Sequence, residues 1–192
     1  MGFDTTPWIE AAWAVFLVYW GASARWVKRP VRSEPLGPRL FKYWLPLAVA
    51  ALLIRPVRSY PSSLLHWRVM PDAAWVAMLG LALTWAGVLF ACRARSVLGA
   101  NWSSEVQIKH GHELVVRGPY RLVRHPIYTG LLLALLGSAL ALGELRGLLA
   151  LAIVAVSFMM KLRLEERWMR EQFGSAYDDY VRRVKALVPG VF

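Results

Sequence analysis

Long apolar segments constrain the fold of this chain more than any other feature of its sequence. Residues 73–92 (AAWVAMLGLALTWAGVLFAC) contain no charged side chain, and about 20 apolar residues in a helix cross the hydrocarbon core of a bilayer. The other predicted spans are residues 7–24, 43–54, 127–143 and 147–160. The segment 43–54 is short and spans only if its helix begins near Leu40 or tilts. We therefore predict an all-α integral membrane protein with about five transmembrane helices.

The distribution of basic residues orients these helices. The composition is 57% hydrophobic with a net charge of +11, and the charge is concentrated in the segments 25–42, 93–126 and 161–192. The only Lys or Arg residues in the remaining connections are Arg55, Arg58, Arg68 and Arg146. Because cytoplasmic loops carry the excess of Lys and Arg, the amino terminus is predicted outside and the carboxyl terminus in the cytoplasm. Basic residues clustered between apolar blocks are typical of loops that face anionic lipid rather than of a surface that binds nucleic acid. We expect a prokaryotic inner membrane as the location.

No soluble catalytic domain is indicated. We treat residues 1–192 as one membrane domain, with the first three spans in 1–92 and the polar connections in 93–192. The sequence has no phosphate-binding loop and no GxGxxG motif that would open a nucleotide-binding helix. His110, His112 and His125 have no cysteine nearby, and the spacing of the first two places them on opposite faces, so no metal site is predicted.

The connection before the fourth span is rich in polar groups and ends in a bend. Its last part is GPYRLVRHPIYTG, residues 118–130. Pro126 disfavours helical geometry at His125 and suits the first turn of the following helix. One interpretation is an interfacial border, in which Tyr120 and Tyr128 form an aromatic belt and the arginines reach lipid phosphates. The other is a binding site, because aromatic, imidazole and guanidinium groups converge on one bend.

A second polar segment, SFMMKLRLEERWMREQF at residues 157–173, continues the fifth span into an amphipathic helix. Lys161 with Glu165, and Glu166 with Arg170, have the i,i+4 spacing of exposed ion pairs. Alternatively, Glu165 holds a polar ligand at the membrane boundary, where an ionised side chain is costly without such a role. The segment alone leaves both interpretations open.

Residues 95–192 resemble the isoprenylcysteine carboxyl methyltransferases and the related integral-membrane phospholipid methyltransferases. The resemblance is carried by motifs in a fixed order along the chain. They are His112-x-Leu114-Val115, Gly118-x-Tyr120, Arg124-His125-Pro126-x-Tyr128-x-Gly130, Glu165-Glu166, Phe173-Gly174 with Tyr177 and Tyr180, and Val188-Pro189. The first 90 residues match this family only as membrane spans.

The resemblance implies methyl transfer from S-adenosylmethionine, giving S-adenosylhomocysteine, to a lipidic or prenylated acceptor. It implies a cytoplasmic cofactor-binding loop closed by the C-terminal helix, within the catalytic half 93–192. The implied cofactor-binding residues are Gln107, His112, Glu113, Leu114, Val115, Tyr120, His125, Pro126, Ile127, Tyr128 and Glu165. Where the carboxyl methyltransferases place an arginine for the acceptor carboxylate, this chain has Lys161, which lacks bidentate geometry. Arg163 substitutes only if the helix rotates. The acceptor is therefore expected to be a carboxylate or an amine.

Two other functions remain as alternatives at this point. The sterol reductases, which use NADPH, have a carboxyl-terminal domain that resembles this one, although the chain is short for such an enzyme. A non-catalytic membrane adaptor would use the bend at His125 only as an interfacial border. Binding of S-adenosylmethionine or of NADPH distinguishes these possibilities.

Overall fold

The computed structural model of the chain is helical apart from one short ribbon. It describes residues 4–24, 30–33, 35–55, 64–99, 107–109 and 114–191. The α-helices are α1 (Thr6–Ser23), α2 (Leu36–Arg39), α3 (Leu45–Ile54), α4 (Ala74–Leu98), α5 (Pro126–Leu142), α6 (Leu145–Phe173) and α7 (Ser175–Arg183). Short 3₁₀ turns cover Leu64–His66 and Gly118–Arg121. The ribbon pairs β1 (Pro30–Ser33) with β2 (Gln107–Lys109) in antiparallel register.

Helices lie at all five predicted spans, and the chain is an integral membrane protein. Within the described ranges, three helices are long and apolar enough to cross a bilayer: Leu36–Ile54, Ala74–Leu98 and Leu145–Phe173. The helix α5 is apolar but shorter, at 17 residues. We call the end of the bundle that carries the α5–α6 turn at Gly143 the turn end, and the end that carries residues 174–191 the tail end.

The second span is longer than the apolar segment 43–54, because helical structure begins at Leu36. The helices α2 and α3 are joined by a π-helical turn at Leu40–Trp44, which gives a helical run of 19 residues. Pro46 has no N–H to donate to the carbonyl of Lys42, four residues earlier. The hydroxyl of Ser157 on α6 donates to that carbonyl instead, at 2.6 Å. The proline is thus accommodated by a contact that the apolar pattern does not reveal.

Glycines let α4 and α5 pack with their backbones in contact. Gly80 and Gly87 on α4 face Gly137 and Gly130 on the antiparallel α5. A Cβ atom on Gly87 would lie 2.4 Å from the Gly130 oxygen, and one on Gly137 would lie 2.5 Å from the Gly80 oxygen. Side chains do not tolerate such distances, so the seven-residue glycine spacing fixes the register of the two helices. Small residues at the interface are the usual means of helix association in membranes.

Polar contacts attach α1 to this pair at two levels. Inside the bundle, the Trp13 indole donates to the Ser138 hydroxyl at 3.0 Å, and that hydroxyl lies 3.3 Å from the Thr84 hydroxyl. At the tail end, Arg95 is buried and donates to the carbonyl of Ser23 at 2.5 Å and to that of Gly99 at 2.8 Å. The guanidinium therefore binds the carbonyl-rich terminus of α1, where a cation is favourable.

An ion cluster built around the buried Arg146 closes the turn end. Arg146 donates to the Glu144 carboxylate at 2.6 Å, and the same carboxylate oxygen lies 3.0 Å from His66 Nδ1. Arg146 also donates to the carbonyls of Leu53, at 2.9 Å, and of Arg55, where α3 ends. We call His66, Glu144 and Arg146 the turn-end cluster. It joins the termini of α3 and α6.

Candidate active site

The bend before α5 is held in place by the carboxyl-terminal tail. The backbone N–H groups of Arg124 and His125 donate to the carbonyls of Lys185, at 2.8 Å, and Ala186, at 3.0 Å. One turn into α5, the Thr129 hydroxyl donates to the Leu187 carbonyl at 2.8 Å. His125 is non-helical and Pro126 opens the helix, as the His-Pro sequence predicts. The tail therefore fixes the direction in which the His125 and Tyr128 side chains point.

Two adjacent carboxylates on α6 meet this bend from the other side. His125 lies between them, with Nδ1 at 3.5 Å from Glu165 Oε2 and Nε2 at 3.3 Å from Glu166 Oε1. The Tyr128 hydroxyl donates to Glu165 Oε1 at 2.6 Å, a short bond of the kind that a carboxylate acceptor gives. The imidazole and Tyr128 rings are nearly parallel, with centroids 5.6 Å apart. The result is a compact cluster that orients Glu165.

Arg124 is a structural brace behind this cluster. Its guanidinium donates to Glu166 Oε1 from Nε at 2.9 Å and from Nη2 at 2.5 Å. It also donates to the carbonyls of Val181, at 3.5 Å, and Val184, at the end of α7. From the sequence, Arg124 was undecided between an interfacial border and a structural brace, and Glu166 was predicted to form an exposed i,i+4 pair with Arg170. The pair with Arg170 forms at 3.9 Å, but the prediction that it is exposed is wrong for Glu166, which is 9% exposed because α7 folds back over it.

The carboxylates determine the charge of the histidine. Burial by itself lowers the pKa of His125, but hydrogen bonds and attraction from Glu165 and Glu166 outweigh it and raise the pKa above the ordinary value. Burial also raises the pKa of Tyr180, which stays a neutral donor to the Tyr120 carbonyl at 2.5 Å. The raised pKa favours the protonated form of His125, in which both ring nitrogens can donate to the two carboxylates.

One cavity of about 1120 Å³ connects Glu165 to the interior of the bundle. Its polar end is formed by His125, Tyr128 and Glu165. From there it runs between α1, α3, α5 and α6 toward the turn end, along an apolar wall. That wall includes Ile9, Trp13, Phe16, Leu47, Leu131 and Leu135. A single space therefore offers a charged end at the membrane boundary and a long apolar channel within the membrane.

Lys161 enters the cavity one helical turn before Glu165. Its ammonium nitrogen lies 5.6 Å from the centroid of the Tyr43 ring and 5.6 Å from that of the Tyr128 ring. Both distances are within the range of attraction between a cation and an aromatic face. Arg163, two residues further, is exposed and does not line the cavity. The two cations that were candidates for acceptor orientation therefore lie in different environments.

The remaining residues that the resemblance implied fall into three groups. Leu114, Val115, Tyr120, His125, Pro126, Ile127, Tyr128 and Glu165 all line the cavity. Gln107 belongs to β2, for which only the backbone is described. His112 and Glu113 lie outside the described residues.

Other cavity residues were not singled out from the sequence. Trp168, Met169 and Gln172 line it along α6, and Tyr43 lines it from the π-helical turn. The α6 residues share a face with Glu165 at helical spacing, and this signal was present in the sequence. Tyr43 carries no comparable local signal, because it meets Lys161 only through the packing of two distant helices.

Comparison with known proteins gives a consistent result. Residues 75–176 match the family model described as phospholipid methyltransferase. The chain is 28% identical to protein-S-isoprenylcysteine O-methyltransferase B of Arabidopsis thaliana, over 78% of this chain and 74% of that protein. It is 31% identical to methanethiol S-methyltransferase 2 of Bradyrhizobium diazoefficiens, over 86% of this chain and 70% of that protein. A second Arabidopsis thaliana relative, protein-S-isoprenylcysteine O-methyltransferase A, is 30% identical over 69% and 65% of the two chains.

Proposed function

Because this chain belongs to the phospholipid methyltransferase family and is a membrane methyltransferase, we propose that it transfers a methyl group from S-adenosylmethionine to an amphipathic acceptor from the bilayer. The observation that carries the proposal is the continuity of one cavity from Glu165 to the apolar channel. A water-soluble cofactor and a lipid acceptor must meet at the membrane boundary. The polar end and the channel meet at that level.

The residues present fit this cofactor. The carboxylate of Glu165, oriented by Tyr128 and His125, is an acceptor suited to ribose hydroxyls or an ammonium group. The face of Tyr120 offers attraction to a sulfonium cation. When bound, S-adenosylmethionine supplies an electrophilic methyl group on a positively charged sulfur. We propose that Gln107, His112 and Glu113, with the cavity residues already named, complete its site.

We propose that Lys161, rather than Arg163, orients the acceptor. Lys161 lies in the cavity between Glu165 and the apolar channel, whereas Arg163 is exposed. A cation at this position favours an anionic acceptor atom, a carboxylate or a thiolate, over an amine. The channel favours a lipidic or prenylated acceptor such as the one named for the Arabidopsis relatives. The protein then needs no nucleophile of its own: it aligns two reactants and excludes water.

The membrane arrangement belongs to the same proposal. We propose five spans in one membrane domain, with residues 93–192 as the catalytic half. The tail end then faces the cytoplasm and the amino terminus lies outside, as the distribution of Lys and Arg supports. The cytoplasmic side is where S-adenosylmethionine is made available, which agrees with the position of the polar end.

The experiment that tests the function measures binding before activity. Purified protein in nanodiscs is titrated with S-adenosylmethionine and, separately, with NADPH. We expect saturable binding of the first only; binding of NADPH alone would favour a reductase, and no binding of either would favour an adaptor. Methyl-labelled donor is then supplied with a prenylcysteine analogue, phosphatidylethanolamine or methanethiol. A base-labile label on the prenylcysteine is expected.

The acceptor role is tested with a matched pair of variants. Lys161→Ala is expected to raise the acceptor KM by about tenfold through loss of a charged contact, with unchanged affinity for the donor. Arg163→Ala removes a cation two residues away on the exposed face and is expected to change neither value. An equal effect of both variants would contradict the assignment.

A further inference from the structure

The cavity extends beyond Glu165 along the last turns of α6. Trp168, Met169 and Gln172 follow Glu165 at intervals of three, four and seven residues, and all line the cavity. Residues at these spacings share one face of a helix. The seven residues from Glu165 to Gln172 correspond to about 10 Å along the helix axis. This stripe has an aromatic and an apolar member in the middle and a polar amide at its end.

Gln172 carries a buried acceptor that meets no donor. Its side-chain oxygen Oε1 is inaccessible to solvent and has no hydrogen-bond partner in the part of the chain that the structure describes. Leaving such an acceptor without a donor is energetically costly, and buried polar atoms in proteins rarely remain so. Gln172 is also in the last turn of α6, which ends at Phe173. The unpaired carbonyls at this end of a helix favour hydrogen-bond donors as well.

We propose that Gln172 accepts a hydrogen bond from the exocyclic amino group of the adenine of the methyl donor, and that Trp168 and Met169 pack against the base. This inference rests on the proposed use of S-adenosylmethionine and assigns the adenine end of its site. Glu165 and Gln172 then bind the two ends of the adenosyl group, separated along one face of α6. The base is flat and largely apolar, which matches the residues between them.

The neighbours of Gln172 favour the adenine amine over the other donor of the ligand, the α-ammonium. An ammonium group carries a full charge and is attracted to an ionised carboxylate such as Glu165 more than to a neutral amide. The side chains beside Gln172, Trp168 and Met169, offer no charge. A neutral N–H donor at the edge of an aromatic ring satisfies Oε1 without burying a cation.

Three ligands distinguish the two donors when they are titrated against the protein in nanodiscs. S-adenosylhomocysteine has both groups. S-inosylhomocysteine has a carbonyl oxygen in place of the adenine amine, and 5′-methylthioadenosine retains the amine but lacks the ammonium. We expect Gln172→Leu to weaken binding of the two adenine compounds by about five- to tenfold, and that of the inosine compound by less than twofold. Gln172→Glu keeps an acceptor and is expected to preserve the preference for adenine.

Thermal unfolding without ligand supplies the second measurement. Because leucine removes an unsatisfied buried oxygen, Gln172→Leu is expected to unfold at the same or a higher temperature than the wild type. A variant that loses adenine affinity without losing stability identifies a ligand-binding residue. Equal weakening of S-adenosylhomocysteine and S-inosylhomocysteine, with 5′-methylthioadenosine unaffected, would overturn the adenine assignment in favour of the ammonium.

Failure of this inference is distinguishable from failure of the proposed function. If the wild type binds none of the three nucleosides, the proposed cofactor is wrong. If the wild type binds them and Gln172→Leu keeps the same preference for adenine, only the role of Gln172 is overturned. A loss of stability in Gln172→Leu together with equal weakening of all three ligands would show a purely structural role.

Discussion

Two clusters at opposite ends of the bundle are built from the same three residue types. The turn-end cluster consists of His66, Glu144 and Arg146, and we call Arg124, His125 and Glu166 the tail-end cluster. In both, the arginine pairs with the glutamate and also donates to carbonyls where a helix ends, α3 in one case and α7 in the other. In both, the histidine contacts the same carboxylate. This shared arrangement joins helix ends and stabilises the fold.

What separates the two ends is one additional carboxylate. At the tail end, Glu165 stands beside the cluster, receives the Tyr128 hydroxyl and opens onto the cavity. At the turn end Glu144 stands alone, and its oxygen is occupied by His66 and Arg146. A His–Glu–Arg cluster whose charged groups are paired with one another is thus a structural brace. The proposed binding function depends on Glu165, the carboxylate that the tail-end brace orients.

The largest expected effects follow the loss of either arginine. Arg124→Ala leaves the buried carboxylate of Glu166 without its closest cationic partner and should destabilise the protein by about 3–5 kcal/mol. Arg146→Ala should destabilise it by a similar amount, because it deprives Glu144 and the end of α3 of the same kind of partner. Both values are measured by chemical unfolding in detergent. The two variants should differ in the folded state: only Arg124→Ala should also weaken the binding of S-adenosylmethionine. Equal weakening by Arg146→Ala would remove the distinction between brace and site.

Neutralising the additional carboxylate should affect binding rather than stability. Glu165→Gln removes a charged acceptor and should lower the affinity for S-adenosylmethionine by about 10- to 100-fold. The matched variant at the turn end, Glu144→Gln, should leave that affinity unchanged while lowering the unfolding temperature. Isothermal titration and thermal unfolding of both variants check the pair. If Glu165→Gln binds the donor as tightly as the wild type, Glu165 has no part in the cofactor site.

Tyr128 should have a smaller effect of the same kind. Tyr128→Phe keeps the ring beside Lys161 but removes the hydroxyl that donates to Glu165, and should weaken donor binding by about fivefold. Thr129→Val is the control, since it removes the neighbouring hydroxyl, which binds the Leu187 carbonyl and does not line the cavity. It should cost mainly stability and reduce donor affinity less than Tyr128→Phe does. The comparison fails if Thr129→Val reduces the affinity for the donor as much as Tyr128→Phe does.

The sequence allowed the positions of the helices to be predicted well, since no apolar segment extends more than one residue beyond its helical run. The second span was predicted too short because its first residues, from Leu36, are not strongly apolar. Its helical structure there depends on the π-helical turn and on the contact between Ser157 and the Lys42 carbonyl. Hydrophobic pattern reports burial in lipid or protein. It does not report a hydrogen bond that replaces one lost at a proline.

The principal residues of the candidate site were predicted from the sequence, but some of the contacts between them were not. Motif order identified His125 and Glu165, which the structure brings within 3.5 Å of each other. The pairing of Arg124 with Glu166 was missed because it forms between segments 42 residues apart and is buried only after α7 folds back. The i,i+4 spacing on α6 predicted an exposed partner for Glu166 on its own helix. The partner that tertiary packing supplies, Arg124, forms the stronger pair.

The smallest expected effect is the dependence of stability on pH. His125 is faced by Glu165 and Glu166 from α6, by Tyr128 from α5 and by the adjacent Arg124, and the two carboxylates raise its pKa. Because protonation is more favourable in the folded state, this stabilisation is complete below the unfolded pKa of about 6.5 and is lost as pH rises through the higher folded pKa. One proton limits the slope to about 1.4 kcal/mol per pH unit.

The contribution of His125 protonation to stability is obtained from the unfolding free energies of the wild type and His125→Gln, measured between pH 6 and 9. The difference between them isolates His125 from other groups that titrate in the same range. It should be largest near pH 6 and shrink as pH rises, since the wild type loses a cation that the variant never had. A difference that is constant across the range would mean that His125 stabilises the cluster as a neutral hydrogen-bonding ring. The tail-end cluster would then be a brace whose histidine does not titrate in this range.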